Sequence, residues 1–268
     1  MKRMQLFEFE DLRRFPSGLR DCMTLYIQVI HRLLGTDKLV APLLARALRA
    51  AGTDQVVDLC SGAGGPLPAV TARLAEEHDI AANVTLTDLY PNEHAAGNLA
   101  TKGSSRQLTY HMAPVDAGQV PAELVGVRSM ICSFHHMPPT TARRILEDAF
   151  KQRKALCIFE ISDNAFPRWL WWLALPVNLL MVFALTPLVR PLRMRQVLFT
   201  YAIPVLPLVI AWDGAASNAR TYTEADVREL LQGLDSPEYH WEVGTLRPPR
   251  APGGMIYVLG LPGTAASA

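Results

Sequence analysis

Hydrophobic and polar positions along the chain fall into two alternating patterns. Some segments carry apolar residues at helical spacing, and short runs between them are apolar almost throughout. In LVAPLLARALRA, residues 39–50, Leu43, Leu44, Ala47 and Leu48 recur on one helical face and Gly52 follows as a stop. The spacing predicts helices over 18–34 and 37–51. QVVDL (55–59) then reads as a buried strand, and the segment 66–78 as a helix with Pro66 at its first position. The alternation continues with strands at 84–88, 107–112, 127–134 and 154–162, separated by helices at 91–100, 117–124 and 139–152. Five β-then-α units predict a parallel sheet with helices on both faces, and strands that are apolar on both sides agree. TEADVRELLQGL (223–234) reads as a helix opened by a Thr223–Asp226 capping box. Strands at 239–247 and 253–261 then close the sheet with an antiparallel hairpin.

About sixty residues between the fifth strand and that last helix break the rhythm. Residues 169–189 hold no charge in 21 positions, RPLRMR adds Arg190, Arg193 and Arg195, and 196–212 is uncharged for another 17. The first run has the length to span a bilayer. A spanning hairpin would carry its arginine tip across the membrane, against the positive-inside tendency. Pro176, Pro187, Pro204 and Pro207 favour shorter, broken helices. The better expectation is a lid lying in a membrane interface, with Arg168, Trp169, Trp171 and Trp172 at the boundary. A buried hairpin that dimerises the chain or lines an apolar pocket is the alternative. The layout divides into 1–52, an N-terminal helical lid; 53–164, a core; 165–212, the insertion; and 213–268, the rest of the core.

Composition adds exclusions. Half of the 268 residues are hydrophobic and the formal net charge is +1, so no global field invites nucleic acid. Cys22, Cys60, Cys132 and Cys157 have no metal-ligand spacing, which suits a reducing compartment. The charged start, MKRMQLFEFEDLRR, lacks the apolar centre of a secretory signal. A cytoplasmic protein, peripheral on the inner membrane face, is the expectation.

In parallel sheets, ligands bind beyond the carboxyl ends of the strands. DLCSGAGGP (58–66) follows the first strand and Asp88 ends the second, placed to accept hydrogen bonds from a ribose diol; Asp116 and Glu160 follow the third and fifth. The dinucleotide pattern GxGxxG fails, because counting from Gly62 the sixth position is Leu67. Pro66 also removes a helix-start N–H that a pyrophosphate would use.

VVDLCSGAGG resembles the first motif of class I S-adenosylmethionine (SAM)-dependent methyltransferases, and CSFHHMPP their fourth. The resemblance covers 55–162 well and 221–261 in pattern. It implies a Rossmann-like α/β fold with a seven-stranded, mostly parallel sheet, and SAM as cofactor. It implies cofactor contacts from Asp58, Cys60, Gly62, Gly64, Asp88, Leu89, Asp116, Ala117 and Ser133. Cys60 departs from the family's usual glycine, and Ser129 stands near where relatives carry an acid on the fourth strand. Asp58 has a structural alternative, bonding the loop's own N–H groups.

In SFHHMPP (133–139), His135 or His136 could serve as a general base towards an acceptor hydroxyl, or simply bond the turn before Pro138. Neighbours in an extended segment point to opposite faces, so no metal site is expected from the pair. By resemblance, the N-terminal segment 7–27 and the insertion cover the acceptor side. Arg20, Tyr26, Asp213, Arg220 and Tyr222 are the acceptor contacts expected there, with Arg220 also able to pair with a nearby acid such as Asp213. The resulting expectation is methyl transfer to an oxygen of a small apolar or lipid-like acceptor. A catalytically silent SAM-fold partner and an NAD(P)-dependent oxidoreductase are the rivals.

Overall fold

The computed structural model describes residues 1–12, 14–101, 107–162, 164, 170–247 and 254–263, with the side chains at 98, 100, 101 and 170–174 left out. After a single turn at Phe9–Asp11 come α1 (Ser17–Leu34) and α2 (Thr36–Ala51), each ended by a left-handed glycine, Gly35 and Gly52. The alternating body follows: β1 (Gln55–Asp58), α3 (Leu67–His78), β2 (Asn83–Leu86), α4 (Glu93–Thr101), β3 (Leu108–Tyr110), β4 (Val127–Ile131), α5 (Pro139–Lys151) and β5 (Leu156–Glu160). Next are α6 (Leu170–Leu185), α7 (Met194–Val197), α8 (Val205–Arg220) and α9 (Glu224–Leu230), and finally β6 (Tyr239–Leu246) and β7 (Met255–Pro262).

The seven strands form one sheet in the order β3-β2-β1-β4-β5-β7-β6. β1 to β5 are parallel, and β7 runs antiparallel between β5 and β6. This is the Rossmann-like sheet with an antiparallel hairpin that the sequence predicts. Strand order reverses between β1 and β4, so the carboxyl ends of the parallel strands meet at one edge. One face of the sheet packs Val40, Leu44, Leu48, Leu74 and Phe159. The other packs Met130, Ile145, Leu146, Ile158 and Val258. α2 therefore belongs to the sheet core. The Thr223–Asp226 capping box opens α9 as expected.

Two expectations are corrected. The helix over 117–124 does not form. Gly118 N–H instead donates to Asp116 Oδ1 at 2.8 Å and Gln119 N–H to Asp116 O at 2.9 Å, a local turn that competes with helix, and Pro121 adds no donor. The boundary at 212 falls inside α8, which runs unbroken to Arg220. The insertion is thus α6, a turn, α7 continuing into a π-helical turn at Leu198–Ala202, and then α8 after an 85° bend. Among the described residues no single helix is long and apolar enough to cross a membrane; that bent pair passes by length and composition only. Arg168 and Trp169 lie outside the described residues, as do the side chains of Trp171 and Trp172.

α6 packs along α8, and α1 joins them through Cys22, Met23, Leu206 and Val209, with Phe9 and Phe15 alongside. The N-terminal segment and the insertion are therefore one cap. Backbone and side-chain bonds strap it down: Met4 N–H donates to Ala219 O at 2.8 Å, and Phe9 and Glu10 N–H to the Asp213 carboxylate at 2.8 and 3.2 Å.

Candidate functional site

The loop after β1 is built from left-handed residues: Cys60 (φ 55°), Gly62 (54°), Gly64 (87°) and Gly65 (45°). A Cβ at Gly62 would meet nothing within 4 Å, whereas at Gly64 it would lie 3.2 Å from Leu86 Cδ1. Gly62 thus faces open space and Gly64 faces packing. Gly62 N–H donates to Asp88 Oδ2 at 3.0 Å, and Tyr90 N–H to Asp88 Oδ1 at 2.9 Å. Each carboxylate oxygen keeps a lone pair for a further donor. The Tyr110 hydroxyl donates to Gly62 O at 3.1 Å and accepts from Asn92 N–H at 3.1 Å, fixing the loop from the β3 side. Tyr110 and Asn92 escape sequence reasoning because only the sheet brings β3 beside this loop.

Asp58 sits behind the glycines, 3% exposed, with Ser129 Oγ donating to its Oδ1 at 2.6 Å. Burial pushes its carboxyl up to about 7, against the pull of hydrogen bonds from Ser129 and Ser61. Ser129, at the place of the missing acid, serves Asp58. Cys60 adopts the backbone conformation that favours the family's glycine, and burial, then the Asp88 charge, pushes its thiol up to about 12. It is no thiolate nucleophile. Asp116 is half-exposed, its Oδ2 paired with Arg144 Nη2 at 2.6 Å; Ala117 is buried beside it, and Leu89 is exposed at the rim. Ser133 is buried, and its Oγ has no partner. Two surface hollows, near Asp235–Trp241 and between Leu48 and Ala81, lie away from these strand ends.

The histidines depart from expectation. Phe134–His136 forms a tight helical turn, so the two rings do not point apart: their centroids are 4.2 Å from each other. His135 is buried; its Nδ1 lies 2.7 Å from Glu160 Oε2, and its backbone N–H donates to Glu160 Oε1 at 3.1 Å. His135 Nε2 has no hydrogen-bond partner. His136 Nδ1 lies 2.9 Å from Asp11 Oδ1 and 3.5 Å from Glu8 Oε2, and its Nε2 is 3.5 Å from Glu10 Oε1. Glu8 is wholly buried, and desolvation pushes its carboxyl up to about 7 despite His136 and Arg220 nearby. Burial raises Asp11 too, but bonds and charge from His136 and Arg220 outweigh it and hold it well below the carboxylate range. The sequence places the Glu8–Asp11 segment in a lid without pairing it to the histidines, more than 120 positions away.

Of the expected acceptor contacts, Arg220 and Asp213 gather at this cluster. Arg220 Nη1 reaches Asp11 Oδ2 at 2.6 Å and Glu8 Oε1 at 3.2 Å, so its acids come from the N-terminal strap, while Asp213 holds that strap's backbone. Tyr222 is buried; its hydroxyl donates to Met137 O at 2.7 Å, and the Arg3 guanidinium lies 4.5 Å over its ring. Tyr26 is buried in α1, and Arg20 donates to Glu10 O and Leu12 O, facing the strap.

In sequence, no family model and no curated protein matches the chain. In structure, the chain is similar to human N-acetylserotonin methyltransferase in complex with SAM, at 12% identity, 89% of this chain, 56% of that one and TM-score 0.49. It is also similar to magnesium protoporphyrin IX methyltransferase from Synechocystis PCC 6803 with bound SAH, at 15% identity over 85% and 84% of the two chains, TM-score 0.46. A third likeness is to the mitomycin 7-O-methyltransferase MmcR, at 17% identity over 90% and 53%, TM-score 0.47. The chain spans about half the length of the first and the third. The ligands in those names are those proteins' own.

Proposed function

We propose that the chain is a SAM-dependent methyltransferase that methylates an oxygen of a small apolar or lipid-like acceptor. The observation that carries this reading is the pairing of Gly62 with Asp88. A backbone with open space where a side chain would stand lies against a carboxylate with lone pairs to spare, at the carboxyl edge of the sheet. That suits an adenosyl group carrying a ribose diol. Pro66 at the helix start costs such a ligand little, because SAM has no phosphate, and it argues against a pyrophosphate cofactor.

Asp88 would take the ribose hydroxyls, Asp116 and Ala117 would border the adenine, and Gly62 with Ser133 Oγ would face the amino-acid end. When bound, SAM supplies a methyl carbon already activated by its sulfonium leaving group. The protein's work is then to hold the acceptor oxygen in line and to exclude water, which a cap strapped across the strand ends suits. His135 is the group suited to hold the acceptor's proton: Glu160 fixes its Nδ1 and orients the ring, and Nε2 carries no other bond.

The cap is where an apolar acceptor would arrive. Leu180, Met194 and Leu208 are 65%, 82% and 60% exposed, and Arg190 and Arg195, which lie between α6 and α8 in sequence, are exposed too. Exposed apolar side chains on the same insertion as exposed arginines suit the face of an anionic bilayer, on which the protein would lie peripherally. Calorimetry with SAM and with S-adenosylhomocysteine tests the core of the reading. Micromolar binding of both is expected; absence of heat with either, on folded protein free of carried-over ligand, ends it. Flotation with anionic liposomes tests the cap. Protein that stays at the bottom at low salt removes the membrane, and a dimer by light scattering would then account for the exposed face.

A further inference from the structure

We propose that Glu8, His135 and His136 form a binding site for one divalent transition-metal ion of the zinc class, tying the N-terminal strap to the ends of β4 and β5. One donor atom from each residue lies within 4.8 Å of the other two. The closest approaches are 3.5 Å, from His136 Nδ1 to Glu8 Oε2, and 3.9 Å, from His135 Nε2 to Glu8 Oε1. Ligand atoms around a tetrahedral zinc stand about 3.3 Å apart, so a small closure completes the set.

Three independent features point to a cation. Glu8 Oε2 and His135 Nε2 are buried and have no hydrogen-bond partner, on residues that are 0% and 4% exposed. Buried polar atoms left without a hydrogen-bond partner are costly, and a metal ion held among these side chains would satisfy both. Next, His135 is oriented as a ligand: Glu160 takes Nδ1–H at 2.7 Å, which fixes the tautomer and leaves the Nε2 lone pair aimed at Glu8. A carboxylate behind a metal-bound imidazole is the usual support. Finally, the charges fit. Glu8, Glu10, Asp11 and Glu160 surround the two rings, and among the described residues Arg220 is the guanidinium paired with them. Arg3 turns to the backbone oxygens of His135 and Arg220. Arg220 and Ser217 engage Glu8 Oε1, so Oε2 is the atom left for the ion. Asp11, with Oδ1 2.9 Å from His136 Nδ1, stands next to the fourth position.

This site stands apart from whatever the Gly62–Asp88 cradle binds. It bears on the proposed chemistry in one way: an ion on His135 Nε2 excludes a proton there, so metal loading and proton uptake alternate.

The test uses the full, untagged chain, stripped with chelator and titrated with Zn2+ by calorimetry and with Co2+ by visible absorption. One ion per chain is expected, with a tetrahedral Co2+ band that zinc abolishes. His136→Ala and the isosteric Glu8→Gln should each remove the band. Glu160→Gln should weaken binding about 10–100-fold through the His135 ring it orients. His240→Ala, on the exposed edge strand, should change nothing. Circular dichroism of each variant separates loss of a ligand from loss of fold. Wild-type protein that is folded yet takes up no stoichiometric ion, or binding that survives both His136→Ala and Glu8→Gln, overturns the proposal. SAM titrations on the same stripped protein keep its failure distinct from failure of the methyltransferase reading.

Discussion

The sheet core and the cap invert each other's polarity. In the core, β5 is buried at every position, and large apolar side chains such as Phe159 and Leu146 fill both faces. Its buried charge is largely compensated: Arg128 pairs with Asp148 at 2.8 Å and donates to Gln152 at 2.9 Å. In the cap, Val177, Leu180, Met194 and Leu208 face outward, while Glu8, Thr186, Gln196, Thr200, Asp213 and Arg220 are buried. Atoms without a partner follow the same division. Glu8 Oε2, Ser133 Oγ, His135 Nε2, Asn164 Oδ1, both amide atoms of Gln196 and Arg220 Nε lie in the cap or where it meets the strand ends, whereas His78 Nε2 and Arg128 Nε are the exceptions in the core among the described residues. A region that buries polar atoms and exposes apolar ones is poorly explained by its own stability. The comparison teaches that the core's interior answers to packing, whereas the cap's exposed apolar face and buried polar atoms are what the proposed membrane and metal contacts would use.

Substitutions can break that contrast. The largest effect is expected in the core: Phe159→Ala should cost about 3–5 kcal/mol by urea unfolding. Leu180→Ala or Leu208→Ala in the cap should stay within about 0.5 kcal/mol. Comparable losses in both regions would mean that the cap's outer face is packed after all. Asp88→Ala should weaken SAM by about 1.5–3 kcal/mol in calorimetry, and an unaltered affinity would remove Asp88 from the cradle.

The pH dependence of stability offers a subtler probe. Folded Asp58 holds its proton up to about 7, whereas its ordinary value is 3.8. Across that window the native state binds a proton that the unfolded chain has lost, so stability should fall as pH rises from about 4 to about 7. Asp58→Asn should flatten this slope in unfolding midpoints, and a slope that persists unchanged places its origin elsewhere. The smallest effect is at Cys60. Glycine there relieves a left-handed backbone, for a net gain in stability under about 1 kcal/mol. A loss would indicate that the packing of the thiol outweighs the strain.

How much of this was legible in the sequence depends on distance along the chain. The βα order, the buried strands, the hairpin, the glycine turn and the acid at Asp88 follow from local pattern, because period and turn chemistry are written within a few residues. Even there, local signals competed: Asp116 turned a helix-like stretch into a turn. SFHHMPP read as extended and its rings as divergent, but a single tight turn brought them together.

Sequence alone determined the sheet, its right order of elements and the place of the glycine loop beside Asp88, since each rests on short-range hydrophobic spacing and on which residues tolerate a left-handed turn. Only the tertiary structure decided what stands over the strand ends. Glu8 and Asp11 meet His135 and His136 across more than 120 positions because the strap docks on α8 and the strand ends. Contacts of that reach depend on how separate elements pack, and no local periodicity encodes them.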